Sequence, residues 1–226
     1  KWEKKIYFDY LWLGINKGAQ ELKGLNIEIS PFVCDNEEEQ LAQLKGIADK
    51  GPNEYGGVIT ISFTRASEVL MQFQRMLAKD MRVLVIDDHI EIPEGLISIP
   101  PREIQVGKVA AELAGLITQG NGRILVSCGR KDSKIHEGRL ESFCNYIKEN
   151  KPELIIELVT GYTRNMDHRG ELYKNACEAL DKYSDICLIY ALTSHDNRAF
   201  VEALEKHGKN KKVPIIGTDL NEETLE

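Results

Sequence analysis

Small polar and charged side chains gather at the ends of five apolar runs along this 226-residue chain. Carboxylates accept hydrogen bonds and a guanidinium offers a fork of donors, so together they can hold a small polar molecule. Buried parallel strands that end in such residues present them at one edge of the sheet, where ligands bind in open α/β sheets. The pattern predicts a receptor for a small polar molecule. The five runs are VITISFT (58–64), VLVIDDH (83–89), ILVSCGR (124–130), CLIYALTSHD (187–196) and VPIIGTD (213–219).

Candidate ligand contacts lie at the ends of these runs or at the start of a helix. They are Ser62, Asp87, Asp88, Arg139, Asp196 and Asp219. Each has a structural alternative: Asp196 could cap the helix that follows it, and Asp219 could cap a turn. Arg139 could pair with Glu137 or Glu141 on a solvated helix face. Since the two aspartates at 87 and 88 adjoin, at most one of them is expected to face the ligand.

The elements that must position these residues alternate along the chain. Short strands separated by helices predict right-handed βαβ units and a mostly parallel sheet. Asp35 or Asn36 is expected to cap the helix that opens with the acidic residues 37–39. Helices are predicted at 8–22, 36–50, 65–80, 103–118, 133–149, 168–182 and 196–207. Strands are predicted near 26–34, 57–62, 82–87, 96–99, 123–128, 154–159, 186–192 and 213–217.

The segment EIPEGLISIPPRE at 91–103 interrupts this alternation. Its three prolines and its glycine disfavour a helix and favour an extended crossing, as a hinge between two lobes requires. We therefore expect an N-terminal lobe over 1–102 and a C-terminal lobe over 103–226. The alternative is a loop at one edge of a single sheet.

Composition excludes several classes of function. The formal net charge of −7 repels a nucleic-acid backbone, and no apolar run reaches the roughly 20 residues of a membrane helix. Five cysteines without a CxxC pair indicate reduced thiols and a cytoplasmic location, with no metal site. The chain has no nucleophile elbow, Walker loop or dinucleotide fingerprint, and His136 near a helix start is better read as a polar contact than as a base. We expect no enzyme activity and no cofactor.

Three segments together resemble the lactose/galactose-repressor (LacI/GalR) family of bacterial regulators. Residues 139–143, RLESF, are similar to the family's R-x-x-G-F motif, with Ser142 in place of the glycine. SHDNRAF at 194–200 is similar to N-D-x-x-A-x-G, with His195 in place of asparagine. VPIIGTD resembles V-x-V-V-G-x-D. The order and separation of the three also match the family, so they carry the resemblance jointly.

The resemblance implies a fold and a role. The implied fold is α/β, with two Rossmann-like lobes and parallel sheets joined by a hinge, of the periplasmic-binding-protein-like type I. A small sugar would bind between the lobes, and Phe8 would stack on it, although Phe8 could equally be a core residue. Measured against the family pattern, we expect the chain to be truncated at both ends. The DNA-binding helix-turn-helix head and the final crossover would then lie outside it.

Arg102 departs from this family pattern in a way that bears on the ligand. The family presents an aspartate five residues before a glycine, and counting back from Gly107 places Arg102 there. A guanidinium in place of a hydroxyl acceptor suggests a ligand with a carboxylate or phosphate group. The alternative is that Arg102 faces solvent or pairs with Glu103.

The sequence therefore predicts the effector-binding domain of a sugar-responsive regulator. Its partners would be a sugar or sugar-acid effector, operator DNA through the missing head only, and a second copy in a homodimer, with no membrane contact. The alternative is a sugar-binding protein of a transport or sensor system, which shares the two-lobed fold.

Overall fold

The computed structural model describes residues 2–34, 36–61, 66–86, 93–129, 133–161 and 168–218. Within these ranges lie seven α-helices and seven strands, which alternate over residues 103–217. The helices are α1 (Trp2–Glu21), α2 (Glu37–Lys50), α3 (Ala66–Leu77), α4 (Glu103–Ile117), α5 (Lys134–Asn150), α6 (His168–Lys182) and α7 (Ser194–Lys206). The strands are β1 (Gly57–Thr60), β2 (Arg82–Ile86), β3 (Ile97–Ile99), β4 (Gly122–Ser127), β5 (Leu154–Val159), β6 (Ile186–Ala191) and β7 (Ile215–Gly217). None of the described helices is long and apolar enough to cross a membrane.

The predicted alternation is confirmed except at one segment. Residues 26–34 were predicted as a strand, and this prediction is wrong, because they follow a short 3-10 turn and belong to neither sheet. An extended apolar segment becomes a strand only where a neighbouring backbone pairs with it, and its own residues cannot supply that partner. The cap of α2 is as expected: the Asn36 side chain accepts a hydrogen bond from the Glu39 amide at 2.9 Å.

The chain divides into two compact units, residues 1–58 with 62–83 and residues 59–61 with 84–226. In the first, the buried faces of α2 and α3 supply a small core that includes Ile47, Phe73 and Met76. The predicted lobe boundary between residues 102 and 103 stays a prediction. A three-stranded sheet has the order β1-β2-β3, with β2 and β3 parallel.

The second unit contains a four-stranded sheet in the order β5-β4-β6-β7, and its neighbouring strands are parallel. The two central strands are buried on both faces, as their near-continuous apolar sequences require. Alternate residues therefore enter different cores: Leu125 and Ile189 face one core, whereas Val126 and Leu188 face the other. Helices α6 and α7 line the first core, and helices α4 and α5 line the second. This three-layer arrangement places the carboxyl ends of β4, β6 and β7 side by side.

Helices α4 and α5 pack closely because Gly107 has no side chain. A Cβ atom at Gly107 would overlap the Arg139 backbone oxygen and the Ser142 hydroxyl. This close packing also sets the start of α4 beside α5, where Glu103 and Arg139 meet.

Candidate ligand-binding site

The carboxyl ends of β4, β6 and β7 meet at one edge of the second unit's sheet. Ser127 ends β4, Leu192 and Thr193 follow β6, and Thr218 follows β7. These are the strand ends at which the sequence predicted ligand contacts. Of the predicted residues, Arg102, Arg139 and Asp196 are described with their side chains at or near this edge.

Asp196 is almost completely buried, with 2% of its surface exposed. The Ser127 hydroxyl donates to its carboxylate at 2.6 Å, and the Thr193 amide donates to the same oxygen at 3.2 Å. In return, the Thr193 side chain accepts from the Asp196 amide, which completes a capping box at the start of α7. Asp196 therefore has the helix-capping role that the sequence offered as its alternative. A ligand contact by Asp196 stays a prediction.

Arg139 is also buried, with 8% exposure, and it connects three elements. Its Nε donates to Glu103 Oε2 on α4 at 2.5 Å, and its Nη1 donates to the carbonyl of Leu192 after β6 at 2.5 Å. The sequence offered an ion pair with Glu137 or Glu141 on a solvated helix face as the alternative role of Arg139. The contacts above instead hold a buried Arg139 against α4 and the end of β6. Glu137 instead pairs with Lys134 at 2.6 Å. A direct ligand contact by Arg139 stays a prediction.

Arg102 occupies the N-cap position of α4, but its side chain forms no capping hydrogen bond. Its side chain is exposed, and it forms no ion pair with any described residue. Glu103, the partner that the sequence offered as an alternative, is occupied by Arg139. Arg102 instead lines a surface groove.

This groove runs between α4 and the β6–β7 side of the sheet edge and has a volume of about 370 Å³. Its lining combines a few polar residues with a larger number of apolar ones. The described lining residues are Arg102, Gln105, Val106, Val109, Ala110, Leu113, Tyr190, Ile216, Gly217 and Thr218. Among them, Arg102 alone carries a charge. The arrangement suits a small molecule that has one polar end and one less polar face.

Tyr190 lines the groove although it is fully buried as a residue. Its ring stacks on Phe143, with the ring centroids 4.5 Å apart. Its hydroxyl has good hydrogen-bond geometry to no described residue, and the Thr218 side chain is its polar neighbour. Burial raises the pKa of Tyr190 to about 12, against a smaller lowering by the neighbouring Thr218. The phenol is therefore a neutral donor at physiological pH.

A second buried group without a hydrogen-bond partner lies on α7. The carboxamide of Asn197 is 2% exposed, and both its nitrogen and its oxygen are unpaired in the described part of the chain. A Cβ atom at Gly217 would come within 2.6 Å of the Asn197 oxygen, so the glycine makes room for this amide. The Asn197 side chain therefore abuts the carboxyl end of β7.

Sequence reasoning missed Gln105, Tyr190 and Thr218 as site residues. Tyr190 lies inside the apolar run of β6 and shares a face with Leu188, so the period-two pattern indicates only that it is buried. Its position in the groove depends on which helix covers that face. Thr218 lies between two motif positions, Gly217 and Asp219, and that adjacency is a signal that could have found it.

The other predicted contacts are residues whose side chains lie outside the described part of the chain. Phe8 belongs to α1, but its side chain is not among the described ones. Ser62, Asp87, Asp88 and Asp219 lie outside the described residues. Their roles stay predictions.

Comparison with known proteins decides the family. The model of the periplasmic binding protein domain matches residues 1–226, the whole chain. The chain belongs to this family. Its predicted fold class, an α/β protein with parallel sheets in two lobes of the type I binding-protein kind, is confirmed by this match together with the solved structures described below. Among curated proteins, none matches the chain.

Several solved structures share the fold at low identity. GanP, a glucose-galactose binding protein from Geobacillus stearothermophilus, has 20% identity and a TM-score of 0.72, over 95% of this chain and 75% of that one. The XylFII–LytSN complex has 20% identity and a TM-score of 0.73, over 95% and 77%. The sugar-binding protein of a sugar ABC transporter from Bacillus halodurans has 16% identity and a TM-score of 0.74, over 90% and 68%. At these identities the likeness shows the fold.

Proposed function

We propose that this periplasmic binding protein domain is a receptor that binds a small carbohydrate or sugar derivative and performs no chemical step on it. The observation that carries the proposal is the groove at the sheet edge, where Arg102, Gln105, Tyr190 and Thr218 combine with an apolar wall. GanP is a glucose-galactose binding protein and the Bacillus halodurans protein is a sugar-binding protein of an ABC transporter, and both share the fold. No nucleophile or base is needed for this role.

The chemistry of the groove matches a carbohydrate. Each sugar hydroxyl both donates and accepts a hydrogen bond, so it pairs well with an amide such as Gln105 and with hydroxyls such as those of Tyr190 and Thr218. The carbon-bound hydrogens of a sugar ring form a weakly polar face, which the side chains of Val106 and Ile216 can cover. Paired hydrogen bonds would supply specificity, and the covered apolar surface would add affinity.

A thermal-shift screen of this chain against a panel of pentoses, hexoses and sugar acids tests the proposal. A ligand present at 100 times its dissociation constant stabilises the folded form by about 2.7 kcal/mol. For a chain of this size, the melting temperature should rise by roughly 5–10 °C. A flat response across the whole panel contradicts the proposal.

Two uses of sugar binding are proposed, and each has its own support. The first is the effector domain of a LacI-type regulator, a cytoplasmic homodimer that would bind operator DNA through a head outside this chain. Its support is the order of the three motifs. Several motif residues, however, have structural roles here: Phe143 packs in the core, Asp196 caps α7, and Gly217 makes room for Asn197. Such roles follow from the fold and do not require a regulator.

The second use is ligand capture for a transport or sensor system. It is favoured by the fold neighbours, which include a sugar-binding protein of an ABC transporter and a protein solved as the XylFII–LytSN complex. The natural full-length protein distinguishes the two uses. Ligand-dependent retardation of DNA fragments from its own promoter region supports the regulator. Ligand-dependent association with a membrane permease or sensor encoded beside it supports the second use.

A further inference from the structure

We propose that the ligand is a sugar acid, whose carboxylate binds Arg102 in the groove of the second unit. The inference rests on the proposed function and names the ligand class of the same site. The first observation is the positive charge of Arg102, which no described residue neutralises. Arg102 forms no ion pair in the described part of the chain, and its neighbour Glu103 is committed to Arg139 with only 3% of its surface exposed.

Besides the charge of Arg102, the groove contains neutral hydrogen-bond donors that could bind an anion. Tyr190 lines the groove, and its buried hydroxyl has hydrogen-bond geometry to no described residue, although the Thr218 side chain is close enough to lower its pKa slightly. A tyrosine phenol is protonated at physiological pH, so it can act as a neutral donor to an anion. Gln105, which also lines the groove, can supply a second neutral donor. A buried donor without an acceptor is costly, and a ligand oxygen would remove that cost.

Charge balance favours a carboxylate over a phosphate. A phosphate monoester carries a charge of about −1.5 to −2 at pH 7. Among the described lining residues, only Arg102 opposes it, and the whole chain has a formal net charge of −7. A carboxylate carries a single charge, and its plane matches the fork of one guanidinium. One arginine with neutral donors therefore suits a carboxylate.

The wall of the groove supports a carbohydrate as the body of this ligand. Val106, Val109, Leu113 and Ile216 are apolar residues of its lining. They could cover the weakly polar face of a pyranose ring, while Thr218 accepts from one of its hydroxyls. The Thr218 hydroxyl donates to the Ala191 carbonyl at 3.2 Å, so its oxygen retains accepting capacity.

Isothermal titration calorimetry of this chain tests the inference with matched sugars. The probes are D-galacturonate and D-glucuronate, the parent hexoses D-galactose and D-glucose, and the two hexose 6-phosphates. We expect one uronate to bind at least about tenfold more tightly than its parent hexose and its phosphate, since a hydrogen bond to a charged group is worth more than a neutral one. Arg102→Ala should abolish this preference of the uronate over its parent hexose.

Two further variants sharpen the test. Tyr190→Phe should weaken uronate binding several-fold while circular dichroism shows an intact fold. Arg198→Ala is the matched control, because it removes an exposed arginine of α7 that pairs with Glu202 at 3.1 Å and does not line the groove. It should preserve the preference for the uronate.

The outcomes separate this inference from the proposed function. Equal binding of hexose and uronate overturns the inference and leaves the sugar receptor standing. Tightest binding of a phosphate, or a uronate preference that survives Arg102→Ala, also overturns it. Absence of binding by every probe contradicts the inference, and a flat response in the wider sugar screen then contradicts the proposed function as well.

Discussion

Glu103→Ala should destabilise the second unit more than any surface substitution on the same helix. The Glu103 and Arg139 side chains are 3% and 9% exposed, and their atoms lie 2.5 Å apart. Removing one partner of such a pair leaves the other charge buried and uncompensated, which costs about 3–5 kcal/mol. Arg139 keeps its hydrogen bond to the Leu192 carbonyl, so we expect a value near the lower end, about 3 kcal/mol.

A double substitution gives this prediction its sharpest form. Replacing both partners by methionine removes both charges, and similar replacements of buried pairs are often neutral or stabilising. The Leu192 carbonyl loses a donor, which lowers the gain. We therefore expect Glu103→Met with Arg139→Met to be more stable than Glu103→Ala alone. Glu112→Ala, at an exposed position of α4, is the control and should change stability by less than about 0.5 kcal/mol.

Urea unfolding followed by two probes measures the effect. Trp2 and Trp12 are the only tryptophans in the sequence and belong to the first unit, whereas far-UV circular dichroism reports both units. We expect the Glu103→Ala loss in the dichroism transition, with a melting temperature lower by roughly 6–12 °C. A loss below about 1 kcal/mol, the range of solvated pairs, refutes the reasoning. So does a double variant less stable than the single one.

Three further predictions concern the same unit. Gly107→Ala should lower the free energy of unfolding by about 1–3 kcal/mol, because the added methyl group overpacks against α5. Gly138→Ala, where the nearest atom lies 3.7 Å away, should raise it by about 0.5–1 kcal/mol. Thermal denaturation measures both, and similar effects of the two substitutions would contradict the packing. Thr193→Ala should cost about 1 kcal/mol in urea unfolding by removing the capping box, and Thr193→Ser should restore it. Burial raises the pKa of Tyr190 to about 12, above the value of about 10 in the unfolded chain. The contribution of Tyr190 to the free energy of unfolding should therefore be complete below about pH 10 and fall by about 2–3 kcal/mol towards pH 12. Tyr190→Phe should remove that part of the pH dependence, and an unchanged slope would contradict this assignment.

Local patterns were sufficient for most of the elements. The predicted helix start at Asn36 depends on a short polar side chain that accepts from the amide three residues later, and such a bond needs no distant partner. Strand β4 is recognisable because its central residues 124–126 form an uninterrupted apolar run, as a strand buried on both faces requires. The failure at residues 26–34 has the opposite cause, since a strand requires a neighbour that its own sequence does not contain.

The candidate site was predictable only in outline. That polar residues cluster at the carboxyl ends of parallel strands follows from the order of strands and helices along the chain. That order does not indicate which of these polar residues form hydrogen bonds and ion pairs within the protein. Arg139 pairs with a residue 36 positions earlier and with a carbonyl 53 positions later, and the Asp196 carboxylate accepts from a hydroxyl 69 positions earlier. No spacing rule links such positions.

The sequence by itself determined the α/β class and most of the strands and helices, because these depend on periodicity and on neighbouring residues. Only the tertiary structure decided which charges are paired. It joined Glu103 to Arg139, placed Asp196 in a capping box, and left Arg102 in the groove beside Tyr190. The physical reason is that burial and ion pairing depend on which distant elements pack together, and that choice is made by the whole core.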